Sequence, residues 1–313
     1  MLGKTANGLF WMYRNLERAE HTARLIETGQ RLALTRLNDP DAEWRPVLQS
    51  ASVLKAYLAN NESVTREAVI DWLLRSRDNP GSVLRCIEQA RMNARLVRTA
   101  LTGDVWEAVN ATYMQARTAL ARKVGERDLP RVLSALRQQA ALVRGMTQGS
   151  MMRDEIYEFA RLGTYVERAD NTARILDVKY YVLLPSTVAV GSSIDNVQWE
   201  SILRSLSAEG GFRMHYGSNP APREITHFLM LDKRMPRSLA FCTDQIRENL
   251  TYLNKGNREP SACLRLVCQI EQQYLSHDVD RIFEFGLHEM ILELLGAFAT
   301  LARQIETEYR FHE

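Results

Sequence analysis

Almost every mark of β-structure is missing from this chain of 313 residues. Alternating apolar and polar runs, the sign of a half-buried strand, hardly occur. The best candidate is Tyr180-Tyr181-Val182-Leu183-Leu184, which reads equally well as a helix end stopped by Pro185. Long apolar runs are missing too. The most apolar stretch, Met290 to Ala302, is interrupted by Glu293 and is too short to cross a bilayer. Near the N-terminus, Arg14 and Glu17 follow Gly8-Leu9-Phe10-Trp11-Met12 at once, which argues against a secretory signal. Cysteine is scarce: Cys86, Cys242, Cys263 and Cys268 form no C-x-x-C pair and have no His cluster beside them. That pattern disfavours zinc and points to reduced thiols in the cytoplasm. Net charge is only +2, so no global field calls for nucleic acid or a membrane surface. Lysine is rare as well, six of forty basic residues, the rest being Arg, whose planar fork suits carboxylates and phosphates. There is no P-loop, no G-x-G-x-x-G and no G-x-S-x-G, so no nucleotide cradle or nucleophile elbow is in view.

What is present is helical periodicity from end to end, carried by Ala, Leu, Arg, Glu and Gln. Breaks at Asn38-Asp39-Pro40, Asn60-Asn61, Asn79-Pro80-Gly81, Gly125 to Pro130, Gly149-Ser150, Pro185 to Ser193, Gly210 to Pro222, Met235-Pro236 and Asn254 to Pro260 divide it into ten to twelve helices. The expected fold is all-α.

One passage occurs twice. Leu16-Glu17-Arg18-Ala19-Glu20-His21-Thr22-Ala23-Arg24-Leu25-Ile26 returns as Val166-Glu167-Arg168-Ala169-Asp170-Asn171-Thr172-Ala173-Arg174-Ile175-Leu176. Its apolar frame, Leu9, Met12, Leu16, Ala19, Ala23 and Ile26, returns as Phe159, Leu162, Val166, Ala169, Ala173 and Leu176. Steps of three and four mark one helix face. The likeness extends to Trp44 through Ser50 against Trp199 through Ser205. It includes Pro80, Ser82, Cys86, Gln89, Arg91 and Asn93 against Pro236, Ser238, Cys242, Gln245, Arg247 and Asn249. These matches divide the chain into two related helical halves, 1–150 and 151–313, expected to pack as one bundle about an approximate two-fold axis.

The repeated charges need a cause beyond an apolar frame. On the helical wheel Glu20 flanks the apolar stripe, Glu17 and Arg24 lie farther round, and Arg14 and Arg18 fall on the far face. Glu20–Arg24 and Asp170–Arg174 are acid-before-base pairs at i, i+4, each stabilising by about 0.2–0.5 kcal/mol if exposed. So small a return, kept twice, suggests burial between helices. Three readings stand: an ion-pair network that fixes how the halves dock, a polar site built from both copies that binds an anionic or zwitterionic group, or surface decoration. Arg91, Arg95 and Arg98 share one face of a following helix and form either a solvated face or a docking patch for an acidic partner. Metal catalysis has thin support. A di-iron bundle needs two E-x-x-H pairs with two further carboxylates, and Glu224 to His227 is the single such pair. Cys86 and Cys242 stand four residues after Ser82 and Ser238; twin positions suit core packing better than a catalytic thiol.

The opening Met1-Leu2-Gly3-Lys4-Thr5-Ala6-Asn7-Gly8-Leu9-Phe10-Trp11-Met12-Tyr13-Arg14-Asn15-Leu16-Glu17-Arg18-Ala19-Glu20, with Glu167-Arg168, resembles the bacterial alpha-E family over essentially the whole chain. The resemblance implies an all-helical fold with Glu-Arg motifs. It also implies a genomic setting beside, or fused to, a circularly permuted ATP-grasp ligase and often a transglutaminase-like cysteine peptidase. The function it suggests is a helical, non-catalytic partner in forming or trimming peptide amide bonds, with no cofactor. The alternative is an enzyme whose Glu/Arg-lined cleft handles a peptide carboxylate or amine. The residues to place are Asn7, Arg14, Glu17, Arg18, Glu20, Arg24, Glu167, Arg168, Asp170, Asn171 and Arg174, with Arg91, Arg95 and Arg98 as the docking patch.

Overall fold

A computed structural model describes residues 2–34, 44–183, 193–217 and 221–312. Its α-helices, in chain order, are α1 (Gly3–Ala33), α2 (Trp44–Ser50), α3 (Leu54–Asn60), α4 (Arg66–Arg75), α5 (Val83–Leu96), α6 (Gly103–Ala119), α7 (Leu129–Ser150) and α8 (Glu155–Leu183). They continue with α9 (Ser193–Ser205), α10 (Glu209–Tyr216), α11 (Pro222–Met230), α12 (Leu239–Leu253), α13 (Ala262–Ile270), α14 (Val279–Phe285) and α15 (Leu287–Glu308). A 3-10 turn, Arg98–Ala100, and a π turn, Glu271–Leu275, complete the set. The described residues are helical and include no strand.

The fifteen helices among the described residues exceed the ten to twelve expected, because elements of seven residues such as α2, α3 and α14 are under two turns long and leave little periodicity to detect. Local chemistry sets many starts. Thr65, Thr102, Ser238 and Ser261 each accept a hydrogen bond from a backbone N–H three residues on, the N-cap arrangement. Pro130 lies in the first turn of α7, where its missing N–H costs nothing. Tyr180 through Leu183 belong to α8, so the helix-end reading holds there. α10 runs through Gly210 and Gly211, so the break expected from Gly210 to Pro222 begins only at Gly217. Asn38-Asp39-Pro40 and positions 185–192 of the break expected from Pro185 to Ser193 lie outside the described residues. Among the described residues no single helix is long and apolar enough to cross a membrane.

α1 and α8 form the centre. α1 packs against α5, α7, α8 and α9, and α8 against α1, α2, α12 and α15. The apolar frame of each is buried, Leu9 to Ile26 in α1 and Phe159 to Leu176 in α8. Burial does not stop at that frame: Glu17, Glu20, Arg24 and Thr28 of α1 are buried as well. Arg14 and Arg18 lie on the far face, as the wheel expects: with Asn7 and Trp11 they form the least buried stripe of α1. That stripe is only half-exposed, because α1 has neighbours on several sides, and both arginines reach Glu167 of α8. Gly163 permits the close crossing. A Cβ there would run into the backbone carbonyl of Phe10, so any other residue would push α8 away from α1.

Candidate functional site

The two Glu-Arg motifs meet where α1 crosses α8, and each holds the other's partner. Arg18 Nε donates to Glu167 Oε1 at 2.6 Å and its Nη2 to Oε2 at 3.0 Å. In the reverse sense, Arg168 Nε donates to Glu17 Oε1 at 2.9 Å and its Nη2 to Oε2 at 3.2 Å. Both are bidentate forks, the strongest geometry a guanidinium and a carboxylate can adopt. Glu17 and Glu167 are each only 2% exposed.

Further arginines complete the network. Arg14 Nε donates to Glu167 Oε2 at 2.8 Å. Arg144 Nη1 reaches Glu17 Oε2 at 3.0 Å and also Glu20. Arg237 bridges the same two acids, Nη1 to Glu17 Oε1 at 3.1 Å and Nη2 to Glu20 Oε1 at 2.7 Å. The i, i+4 pairs cross over as well. Arg24 holds Glu20 and sends Nη1 to Ser205 O at 2.8 Å and Ser207 Oγ at 2.9 Å, beyond the end of α9. Arg174 holds Asp170 and sends Nη1 to Ser50 O at 3.5 Å and to Ser52 Oγ, beyond the end of α2. Ser52 and Ser207 both have a left-handed backbone, φ 58° and 54°.

Electrostatics follow the geometry. Burial pushes the Glu17 carboxyl up, but the guanidinium groups of Arg168, Arg144 and Arg237 outweigh it and hold it well below the carboxylate range. Glu167 feels the same contest; Arg18 and Arg14 bring it down to about 2. Burial also raises Glu20, and Arg237, Arg144 and Arg24 pull it below its ordinary value against the repulsion of Glu17. His21, buried beside Arg174, is pushed down to about 3 and stays neutral near pH 7. Such carboxylates are permanently ionised and weakly basic. They can clamp cations, but neither gives nor takes protons efficiently at neutral pH.

Ten of the candidate residues therefore gather at one place: Arg14, Glu17, Arg18, Glu20, Arg24, Glu167, Arg168, Asp170, Asn171 and Arg174. Asn7 is elsewhere, its Nδ2 donating to Phe311 O at 3.3 Å. The Arg91 patch is only partly as expected. Arg91 Nε is turned to Asn110 Oδ1 at 2.8 Å with its guanidinium over the Tyr113 ring, and Arg98 lies beyond α5 in the 3-10 turn, over Trp106. Arg95 and Arg98 remain exposed. Two network members, Arg144 and Arg237, lie outside the repeated motif. Nothing near Arg144 in sequence marks it. Arg237 had a signal: Pro236-Arg237-Ser238 matches Pro80-Gly81-Ser82 except at its centre.

The twin cysteines behave alike. Cys86 Sγ and Cys242 Sγ point to the carbonyls of Pro80 and Pro236, at 3.8 and 4.0 Å, and burial pushes both thiols up to about 12. Glu224 and His227 do not converge on a metal: His227 Nδ1 meets the Tyr216 hydroxyl at 2.7 Å, and Glu224 accepts from Ala221 N at the start of its own helix. Among the described residues no three His, Cys, Asp or Glu side chains gather as a metal would need.

A family model defined as a predicted alpha-helical domain with a conserved ER motif matches residues 1–309. The chain belongs to the Alpha-E family. Relatives of this Alpha-E chain include an uncharacterised protein of Mycobacterium bovis, 23% identical over 96% of this chain and 36% of its own length. An uncharacterised protein of Mycobacterium tuberculosis is 22% identical over the same shares. The chain thus spans about a third of the length of the curated relatives it matches. No solved structure matches it.

Proposed function

We propose that this chain is a non-catalytic helical partner in a cytoplasmic ATP-grasp ligase and transglutaminase-like peptidase system acting on peptide amide bonds. The observation that carries the non-catalytic part is the clamping of Glu17 and Glu167 by several guanidinium groups at 2% exposure. A carboxylate held far below neutral pKa by several cations is a structural clamp. The partnership is what membership of the Alpha-E family implies. It is supported by relatives in which the matching region is joined to nearly twice its own length of further chain.

On this reading the chain is an internal duplication, with halves 1–150 and 151–313 related by an approximate two-fold axis. Reciprocal forks between Arg18 and Glu167 and between Arg168 and Glu17, and the mirrored reach of Arg24 and Arg174, favour it. The exposed Arg95 and Arg98, with the exposed Met92 and Leu96 on the same stretch, would form the docking patch for an acidic surface. The rival reading is an enzyme with a Glu/Arg-lined cleft. A cavity of about 260 Å³ beside Arg18 and Glu167 favours it, and the depressed carboxyls weigh against it.

Co-purification with ATP-grasp and transglutaminase-like proteins of the same host tests the proposal. Stable capture that Arg95→Glu weakens is expected, with ligase output from the reconstituted set unchanged by Glu17→Gln or Glu167→Gln at matched folded concentration. Absence of capture would refute the partnership. Loss of output in folded Glu→Gln variants would favour the enzyme.

A further inference from the structure

Two buried polar atoms at the motif crossing lack hydrogen-bond partners among the described residues: His21 Nε2 and Asn171 Nδ2. Their residues are 6% and 4% exposed. Both line the same cavity of about 260 Å³, together with Arg18, Glu167, Asp170 and Arg174. Its rim includes Ser52 and Pro80, both exposed, so solutes can reach it. Other buried polar atoms among the described residues also lack hydrogen-bond partners, but only these two belong to residues that line this cavity, where a ligand could satisfy them.

The corresponding corner around Glu17 and Glu20 is filled. Glu17 and Glu20 accept four hydrogen bonds each from Arg24, Arg144, Arg168 and Arg237. An ionised carboxylate offers about four acceptor sites, so both are saturated. Glu167 accepts three such bonds and Asp170 two, from Arg14, Arg18 and Arg174. One guanidinium is missing from this second corner, and the sequence says which. Pro80-Gly81-Ser82 aligns with Pro236-Arg237-Ser238, and Gly81 stands where Arg237 stands. A Cβ at Gly81 would meet only the Asn79 side-chain oxygen, at 3.3 Å, and Gly81 lines the cavity.

We propose that this cavity receives one guanidinium group from an arginine-like ligand, which takes beside Glu167 and Asp170 the place that Arg237 takes beside Glu17 and Glu20. The fold already tolerates four guanidinium groups on two carboxylates in the filled corner, so a fourth here carries no unprecedented charge. A planar fork matches the unused lone pairs of two adjacent carboxylates better than a compact ammonium does. His21 is neutral, so its imidazole has one nitrogen able to accept from the ligand. Asn171 Nδ2 is a donor for the ligand's own carbonyl. The guanidinium can come from a free small molecule or from an arginine side chain in a peptide. The site does not depend on the partnership proposed above.

Isothermal titration of the full chain tests it, using L-argininamide, its neutral isostere L-citrullinamide, the tripeptide acetyl-Ala-Arg-Ala-amide and the dianion glutarate. Saturable binding of a guanidinium probe, at least tenfold tighter than citrullinamide, is expected. Gly81→Arg should abolish it by supplying the group in cis while keeping native circular dichroism and melting temperature. Asp170→Asn should weaken it at least tenfold, and it decides the matter should Gly81→Arg fail to fold. Argininamide binding without the tripeptide assigns the site to a free guanidino compound; equal binding of the tripeptide assigns it to a basic segment. The proposal is overturned by no saturable binding, by equal binding of citrullinamide, by glutarate binding in place of the cations, or by binding that survives in folded Gly81→Arg.

Discussion

Replacing Glu17 by Gln removes one charge and almost no volume, so the stability lost reports the buried network itself. Glu17 accepts four bonds from three guanidinium groups at 2.9–3.2 Å and is 2% exposed. Gln keeps one acceptor oxygen but turns an NH₂ donor toward those donors, so at least one guanidinium loses its partner in the interior. Breaking a buried pair from one side costs about 3–5 kcal/mol. Asp170→Asn is the matched control at the exposed end. The Asp170 and Arg174 side chains are 21% and 25% exposed, so water can replace part of what is lost, and about 1 kcal/mol is expected. Urea unfolding followed by circular dichroism reads both. With a slope of about 3 kcal/mol per molar, Glu17→Gln should lower the midpoint by about 1 M or more at unchanged slope. A cost below about 1 kcal/mol for Glu17→Gln, or an equal cost for Asp170→Asn, would refute the claim that the Glu17 corner of the network is sealed and structural.

The same contrast applies to the i, i+4 arginines: Arg24→Ala should cost about 3 kcal/mol and Arg174→Ala about 1 kcal/mol in the same urea assay, and equal costs would contradict the difference in burial. His21 is lowered in the folded state, so the unfolded chain binds its proton first and stability falls as pH drops from about 6.5 toward 3, by about 1.4 kcal/mol per unit. His21→Asn, the residue its counterpart position carries, should flatten that slope between pH 6.5 and 5, and an unchanged slope would place the titration elsewhere. The carboxyls of Glu17, Glu20 and Glu167 are also lowered, so their contribution is present above about pH 4.3 and is lost as pH falls toward 2; urea midpoints from pH 5 to 2 should drop less steeply in Glu167→Gln. Thiol labelling under native conditions should modify Cys268 rapidly and leave Cys86, Cys242 and Cys263 protected, since only Cys268 is exposed; fast loss of a second thiol would show the core opening.

The all-α class was legible because helix formation is local: apolar steps of three and four, Ser and Thr at helix starts, and Pro and Gly at breaks act within a few residues. The repeated passage also singled out Glu17, Arg18, Glu167 and Arg168, because charged identity off an apolar frame has no purely local cause. The wheel of α1 put Arg14 and Arg18 on its least buried stripe, but a wheel says nothing of their partner: α8 lies close enough for both to reach Glu167. Which acid holds which arginine is a contact between residues about 150 apart, and only the crossing of α1 over α8, allowed by Gly163, decides it. Arg144 comes from α7 and Arg237 from the turn before α12, positions brought together by long-range packing with no trace in local propensity. The empty corner beside Gly81 was written in the sequence as one mismatch between aligned loops. Its meaning depended on tertiary structure, because a missing side chain becomes a cavity only where its neighbours leave carboxylate lone pairs unused.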